Sequence, residues 1–384
     1  MLNQDISTRY FSSIRRMSMP TDSNTRIFFF TSPIGLGHAT RDIAIAEKLV
    51  KLGKGKENIR FITGKYASEL ISNRSYFVSD LYKPEGFSIQ SGELHHPFRW
   101  LLRYFWYYEK CKGIAEKVVK IHNNEYSDGG LIVSDEDFAS IAVAEKINHK
   151  RILITDITET HFANGKFASM VEKKMNRSMQ KMMIKCNYII IPDFGPDVDN
   201  IVHVGPIVRE VSANRNTLRK EFGFNKQTIV VSVGGTDAGK YLIEKTIEAY
   251  KRLKRKFDID LLIISGPAIK LKAYCNEDIR SLGFVDNLHE YIYASDLIIS
   301  LAGRSTMDES IEYGVPGIFI PIKNHFEQEK GAKRLGYKFD DIFRLEHLIE
   351  DNLSTSNNIG SNDIQVNTKG SEKAARLILE TLLE

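Results

Sequence analysis

TIVVSVGGTDAGKY, Thr228–Tyr241, runs a strand into a glycine loop and the loop into a helix. Thr228–Val233 is β-branched and apolar, the composition of a strand. The loop comes within one residue of a P-loop. Gly234, Gly239 and Lys240 satisfy G-x-x-x-x-G-K, but Tyr241 stands where a Ser or Thr hydroxyl would ligate Mg²⁺. No convincing strand with a Walker-B acid follows. An NTPase is therefore a poor reading. The placement remains informative, because backbone N–H groups and the dipole of a helix start collect an anion there. The plainer alternative is a tight turn whose glycines answer only steric needs.

The same unit recurs along the chain. Upstream, Arg26–Thr31 (RIFFFT) reads as a strand, SPIGLGH as a turn and Ala39–Leu52 as a helix. Strands are expected at Ile59–Thr63, Leu131–Ser134, Arg151–Thr155, Tyr188–Ile191 and Ile201–Val204, with a helix over Phe138–Ile147. Downstream, helix Lys240–Leu253 leads to strands at Asp260–Ser265, near Leu282–Phe284, at Leu297–Ser300 and at Gly317–Ile320, with a helix over Arg304–Tyr313. Such alternation predicts parallel sheets covered by helices. The expected organisation is a loose extension (1–25), a first domain (26–204), a linker (205–219), a second domain (220–370) and a final amphipathic helix (371–384). The Asn- and Ser-rich run Asn352–Lys369 reads as a loop. Two doubly wound α/β domains would face a cleft, with ligands at the carboxyl ends of the strands.

Composition narrows the function. A length of 384 residues suits two domains, and 42% hydrophobic with 27% charged residues is ordinary for a soluble globular chain. No apolar run approaches the roughly 18 residues of a membrane span. The first 24 residues lack the apolar core of a secretory signal. Cys111, Cys186 and Cys275 share no motif spacing, so reduced thiols in a cytoplasmic protein are expected rather than a zinc site. A net charge of +4 is too mild for a dedicated nucleic-acid binder.

Five stretches keep company in order: SPIGLGHATR (Ser32–Arg41), VGPIVR (Val204–Arg209), the loop GGTDAGK, GFVDN (Gly283–Asn287), and LAGRSTMDESIEYGVPGIFIPIKNHFEQEKGA (Leu301–Ala332). Together they resemble GT-B glycosyltransferases, two Rossmann-like domains across a cleft. The bacterial N-acetylglucosaminyltransferases that complete the lipid-linked peptidoglycan precursor, and related archaeal enzymes, are the nearest in pattern. The resemblance implies a UDP-sugar donor in the second domain and no cofactor. Glu309 matches the family's acid that accepts bonds from the ribose hydroxyls, a task suited to an acceptor-only carboxylate. Arg209 matches its diphosphate-contacting arginine, and Phe284 belongs to the segment facing the base. Gly234, Gly235 and Thr236 would hold the diphosphate. Glu327 and Gln328 fall where the family has a Gln pair that reads the sugar. Glu327 departs from that pattern and leaves the sugar open between N-acetylglucosamine and a related hexose. Each residue also has a structural reading: a solvated helix Glu for Glu309, a linker salt bridge for Arg209, and a helix cap for His325.

Gly35 and Gly37 let the first turn approach a ligand closely. His38 follows at a helix start, a position that disfavours imidazolium and favours the neutral base. In related families this His is the proposed base for the acceptor hydroxyl, which implies a single inverting displacement. UDP would leave on the 234–239 loop and Arg209, with no metal. Asp135-Glu136-Asp137 follows a strand and reads equally as acceptor-side residues, Asp135 and Asp137 foremost, or as a helix cap. Asp197-x-Asp199 and Asp258-x-Asp260 show how common such carboxylate pairs are.

Two stretches of the first domain are both basic and apolar: His95–Lys112, rich in aromatics, and Lys166–Lys185, with Met175, Met179, Met182 and Met183 at helical spacing. They suit either core packing or an anionic membrane surface. A polyprenyl-linked or other lipid acceptor, with the protein peripheral on the inner face of the cell membrane, would account for both. The start IGLGH-x-x-R-D and the GGTD loop also resemble the UDP-sugar hydrolase of pseudaminic acid synthesis, in which water replaces the acceptor. An epimerase or a sugar-nucleotide sensor of related fold is a third class.

Overall fold

A computed structural model describes residues 25–84, 86–125, 130–162, 165–234, 239–266, 269, 279–356 and 366–384. In the first half β1 (Ile27–Thr31), β2 (Ile59–Thr63) and β3 (Phe77–Asp80) precede a hairpin of β4 (Ser88–Gln90) and β5 (Glu93–His95). Then come β6 (Leu131–Asp135), β7 (Lys150–Ile154), β8 (Tyr188–Ile191) and β9 (Ile201–His203). Apart from the hairpin they form one sheet in the order β3-β2-β1-β6-β7-β8-β9, its pairs parallel. The second half holds β10 (Gln227–Ser232), β11 (Ile259–Ile264), β12 (Ile279–Ser281), β13 (Leu297–Leu301) and β14 (Gly317–Ile320), ordered β12-β11-β10-β13-β14. Each sheet reverses its strand order beside its first strand, at β1/β6 and at β10/β13. These are the crevices where doubly wound sheets take ligands.

The helices are α1 (Gly37–Lys51), α2 (Lys65–Asn73), α3 (Pro97–Glu125), α4 (Phe138–Lys146), α5 (Lys166–Ile184), α6 (Arg215–Phe222), α7 (Lys240–Leu253), α8 (Leu288–Ala294), α9 (Arg304–Glu312), α10 (Phe326–Arg334), α11 (Leu345–Ser356) and α12 (Lys369–Leu383). They cover both faces of the sheets, which is why central strands read as unbroken apolar runs. In β1, Ile27 and Phe29 enter one core with α1, while Phe28 and Phe30 enter another with α3 and α4.

Several expectations shift. The strand expected near Leu282–Phe284 lies at Ile279–Ser281, so Gly283 and Phe284 fall in the turn after it, Gly283 at φ +67°. Within the expected linker α6 begins at Arg215, capped by Asn214, whose side chain accepts from the Thr217 N–H at 2.9 Å. Part of the expected 352–369 loop is the end of α11. The extension 1–24 lies outside the described residues.

The last helix is no appendage. It starts at Lys369 and returns to the first domain, where Ala374, Ala375 and Ile378 are fully buried in the core with Ala39, Ile43 and Ile45 of α1. Gly370 makes the crossing possible, since a Cβ there would stand 2.0 Å from the Pro206 carbonyl oxygen. Lys150 Nζ donates to the Thr381 carbonyl at 3.0 Å. Among the described residues no helix is long and apolar enough to cross a membrane.

Both tryptophans, Trp100 and Trp106, lie in the first domain, so their fluorescence reports its unfolding. Ile378→Ala is expected to destabilise that domain by about 2–5 kcal/mol, the range for truncating a fully buried Ile. A urea titration that leaves the tryptophan midpoint unmoved would detach α12 from the first core.

Candidate active site

The site grows from the register of β1 and β6, which sets Thr31 beside Asp135 at the carboxyl edge of the first sheet. After Thr31 the chain turns through Gly35 at φ +83°, a value that favours glycine, and enters α1 at Gly37. His38, Arg41 and Asp42 then lie three and four residues apart on one face of α1. Asp135 accepts from both ends of this group. Arg41 donates Nε to Oδ2 at 2.8 Å and Nη2 to Oδ1 at 2.5 Å, and His38 Nδ1 lies 2.8 Å from Oδ1. That bond turns His38 Nε2 toward the cleft, where Glu136 Oε2 stands 3.7 Å away.

The electrostatics reverse the expected neutral His38. Burial alone would push the imidazole down. The charges of Asp135 and Glu136, with the Asp135 hydrogen bond, outweigh burial and raise it to about 9. Asp135 moves the opposite way, because Arg41 and His38 overcome its burial and hold it well below the usual carboxylate range. The helix-start effect is weak beside two carboxylates within a few ångströms.

The run Asp135-Glu136-Asp137 divides its labour. Asp135 stands behind His38. Glu136, at φ +54°, faces the cavity. Asp137 is the helix cap: it accepts from Ser140 N–H at 3.2 Å and from Tyr82 O–H at 2.8 Å, so the expected acceptor-side role is withdrawn for it. Asp197 and Asp258 lie apart, paired with Lys373 (3.2 Å) and Lys226 (2.6 Å).

Opposite stands the second domain. Glu309 on α9 and Arg209 are both buried and meet side-on, Arg209 Nε and Nη2 donating to the two carboxylate oxygens at 2.8 and 3.3 Å. Arg209 also donates Nη1 to the Asp286 carbonyl at 3.2 Å. Its guanidinium, expected to contact the diphosphate, lines the cavity with two of its donors on Glu309. Gly234 lines the cavity at φ +74°. Gly235 and Thr236 lie outside the described residues. Gly239 answers a steric need, since a Cβ there would stand 2.0 Å from Val233 Cβ. Tyr241 presents its ring edge toward Gly92 of the first-domain hairpin, within 3.1 Å of a Cβ built there. The domains also touch at the cleft, where Ser305 Oγ donates to the Gly37 carbonyl at 2.9 Å.

Between them lies a cavity of about 330 Å³, lined by Gly35, Gly37, His38, Glu136, Arg209, Gly234, Phe284, Glu309, Glu327 and Gln328 among others. Gln328 uses its Oε1 to accept from Ile322 N–H at 3.0 Å. Burial and the nearby Asp156 raise Glu327 to about 7. Burial and Asp156 likewise hold Glu136 well above the usual range. His325 precedes α10 but makes no cap with its side chain. Its ring is buried against Phe87 and Phe162, and burial lowers it to about 4. Among the described residues no group of His, Cys, Asp and Glu is arranged to hold a metal ion.

The two basic, apolar stretches are split by the fold. Trp100, Tyr104, Met175 and Met179 line the cavity, Trp100 stacked on Phe87 at 4.3 Å between centroids. Leu102, Phe105, Trp106, Met170 and Ile184 are exposed, as are Arg99, Lys173 and Lys174. Sequence reading missed Asp156, Arg304 and the aromatic wall. Asp156 follows β7 as Glu136 follows β6, so the strand-end rule could have found it. Arg304 donates to Asp308 (2.8 Å), its neighbour one turn along α9, and to Asp193 (3.3 Å) and the Pro192 carbonyl (2.5 Å), two partners no local pattern announces.

Comparison with known proteins fixes the class. Residues 228–374 match the glycosyltransferase family 28 C-terminal domain. An uncharacterized glycosyltransferase of Methanopyrus kandleri is 26% identical over 221 residues, 53% of this chain and 60% of that protein. The UDP-N-acetylglucosamine–N-acetylmuramyl-(pentapeptide) pyrophosphoryl-undecaprenol N-acetylglucosamine transferase of Aquifex aeolicus is 26% identical over 310 residues, covering 78% of this chain and 82% of that one. The solved kitacinnamycin glycotransferase superposes with a TM-score of 0.58 at 12% identity, over 93% of this chain and 99% of its own. The Streptomyces sp. SF2575 glycosyltransferase SsfS6, complexed with thymidine diphosphate, gives 0.55 at 10% identity over 93% and 99%. The chain is a glycosyltransferase of GT-B fold. The likeness to glycosyltransferase family 28 lies in residues 228–374, which include the Gly234 loop and Glu309.

The imidazole should titrate near pH 9. Asp135→Asn removes the negative charge that favours imidazolium, so the midpoint must fall, by about 2 units for a close buried pair. NMR of the His38 Cε1–H resonance over a pH series reads both values. A wild-type midpoint near the unperturbed 6.5 would break the His38–Asp135 pair.

Proposed function

We propose that the chain transfers a hexose, N-acetylglucosamine or a relative, from a UDP-sugar to a hydroxyl of a lipid-linked acceptor, in one inverting, metal-independent step. The observation that carries the reading is His38 Nε2 on the first-domain wall of the same cavity whose second-domain wall holds Glu309. The Aquifex relative's name supplies the donor and lipid precedent, and the thymidine-diphosphate complex supplies a nucleoside diphosphate in a neighbouring fold.

Each step uses residues of this chain. Glu309, held by Arg209, keeps free lone pairs on both oxygens to accept the ribose hydroxyls. Phe284 flanks the base. Gly234 and the start of α7 offer backbone dipole to the diphosphate as negative charge builds on the leaving group. Gln328 and Glu327 face the sugar. His38 takes the acceptor proton at Nε2, while Asp135 stabilises the imidazolium formed. With a midpoint near 9, only about 1% of the rings are neutral at pH 7, so kcat/KM rises with pH up to that midpoint.

The charge around Nε2 also restricts the acceptor. Of the four acids at this end of the cavity, Asp135 and Asp156 are held as anions while burial pushes Glu136 and Glu327 toward the neutral acid, and Arg41 and Arg304 are already bonded to carboxylates. With both of these arginines paired and two acids held as anions, a neutral hydroxyl suits this point better than a phosphate. The aromatic wall of Phe87, Trp100 and Tyr104 receives an apolar part of the acceptor. The exposed Trp106 and Phe105 with Arg99, Lys173 and Lys174 suit an anionic membrane surface.

Two experiments test this. UDP should raise the melting temperature, because it binds the native state. Glu309→Gln should shrink that shift, because binding loses roughly 1.5–3 kcal/mol of charge-assisted bonding, and an equal shift in the variant would remove Glu309 from the donor site. In the second, label from UDP-sugar is followed with a lipid extract present and EDTA added. Transfer moves label into the organic phase, and His38→Ala lowers that rate by roughly 10²–10⁴-fold. Release of free sugar at one rate with or without lipid would favour the hydrolase instead. A rate lost in EDTA and restored by Mg²⁺ would overturn metal independence.

A further inference from the structure

Asp42 is a buried acid that the reaction above does not use. It sits on α1 four residues after His38, with no exposed surface, against Asp135, which is equally buried. The cations nearby are already engaged: Arg41 directs Nε and Nη2 onto Asp135, and His38 Nδ1 bonds the same carboxylate. Asp42 receives a single neutral bond, from Thr31 Oγ1 to Oδ2 at 2.5 Å. Its other oxygen, Oδ1, has no donor. Thr31, its one donor, pairs in register with Asp135, which brings the two carboxyl groups to the same strand edge, where each acts on the other's ionisation.

Two carboxyl groups so placed attract only if they share a proton, because two buried anions side by side repel. The proton's location follows from the neighbours. Asp135 faces Arg41 and His38, which stabilise its anion. Asp42 faces a hydroxyl and the Asp135 charge. We propose that Asp42 is a positioning residue held as the uncharged acid, donating its proton to Asp135 and so fixing the carboxylate that orients His38. Its ionisation is opposed first by burial and then by Asp135; the Thr31 bond and the charge of Arg41 act the other way and are outweighed.

The consequence concerns the base. Asp135 holds four bonds in this arrangement: two from Arg41, one from His38 and one from Asp42. It cannot swing without breaking several at once, so Nδ1–H stays pinned and Nε2 stays in the cavity. The charged groups acting on His38 itself are Asp135, Glu136 and Arg41, with Asp156 and Glu327 beyond them. Asp42 adds no net charge to this set.

The proposal rests on His38 being the base only for its catalytic meaning. Its test reads the ring without substrate, so the two can fail separately. The His38 midpoint is measured by NMR in the full chain for wild type, Asp42→Asn and Asp42→Ala. Asn keeps a donor for Asp135 and an acceptor for Thr31 and changes no charge, so its midpoint should stay within about 0.3 units of wild type. Ala removes the donor, leaves Asp135 a stronger attractor of the imidazolium proton, and should raise the midpoint by about half a unit or more. A fall of about one unit in Asp42→Asn would show that Asp42 was ionised, which overturns the proposal. So would an Asp42→Ala midpoint equal to wild type. If the Ala variant does not fold, the infrared difference between wild type and Asp42→Asn at neutral pH decides. A protonated-acid C=O stretch present only in wild type supports the proposal, and its absence overturns it.

Discussion

The pairing of β1 with β6 is the constraint on which the rest depends. Parallel register puts Thr31 and Asp135 at the same height on the carboxyl edge of the sheet. The helix that follows β1 then lays His38 and Arg41 against the strand end that follows β6. An anion buried at that point is stable only because two cations come to it from one helix face. Arg41→Ala would leave Asp135 underpaired, and the imidazole would lose both its orientation and its partner's fixed charge. The order of the strands thus precedes the chemistry: the neighbour of β1 in space is β6 and not β2 alone, and it supplies the carboxylate.

The second domain repeats the device with different residues. Arg209 comes from the segment joining the halves and Glu309 from the helix after β13, and they close on each other away from water. In both places a carboxylate is held by an arginine whose donors come side-on, which fixes its plane as well as its position. A shallow surface pair would leave either carboxylate free to rotate. The cavity lies between these two fixed anions, and the Gly37–Ser305 contact sets how near the walls come. Gly37 has little spare room there, since a Cβ would stand 3.1 Å from Ser305 Oγ.

Much of this was legible in the sequence. Long strand–turn–helix units announce themselves by periodicity, so both sheets, their cleft and the positions of His38 and Glu309 could be placed without coordinates. Short elements could not. β3, with its outer face open, and the hairpin β4–β5 carry no apolar run, and Ile279–Ser281 was displaced by three residues because the following Leu282 and Phe284 look more strand-like. The ionisation of His38 was read wrongly for a clear reason. A helix start is visible in the chain, whereas Asp135 and Glu136 approach from 97 and 98 residues away. Motif position brought Arg209 to the cavity but could not announce Glu309 as its protein partner, 100 residues away. Asp137 was one of three acids in a row, and only the backbone angles around Glu136 decide which of them caps.

The return of the last helix sets an order of events during synthesis. The first domain lacks Ala374, Ala375 and Ile378 until those residues emerge from the ribosome, which they do only after the strands and helices of the second domain. Among the described residues, the two apolar clusters of the second domain draw on positions between Val208 and Val366. Domains commonly fold from the N-terminus as they emerge. Here the domain made first is completed last, and its seven-stranded sheet awaits a helix that the opposite end of the polypeptide delivers.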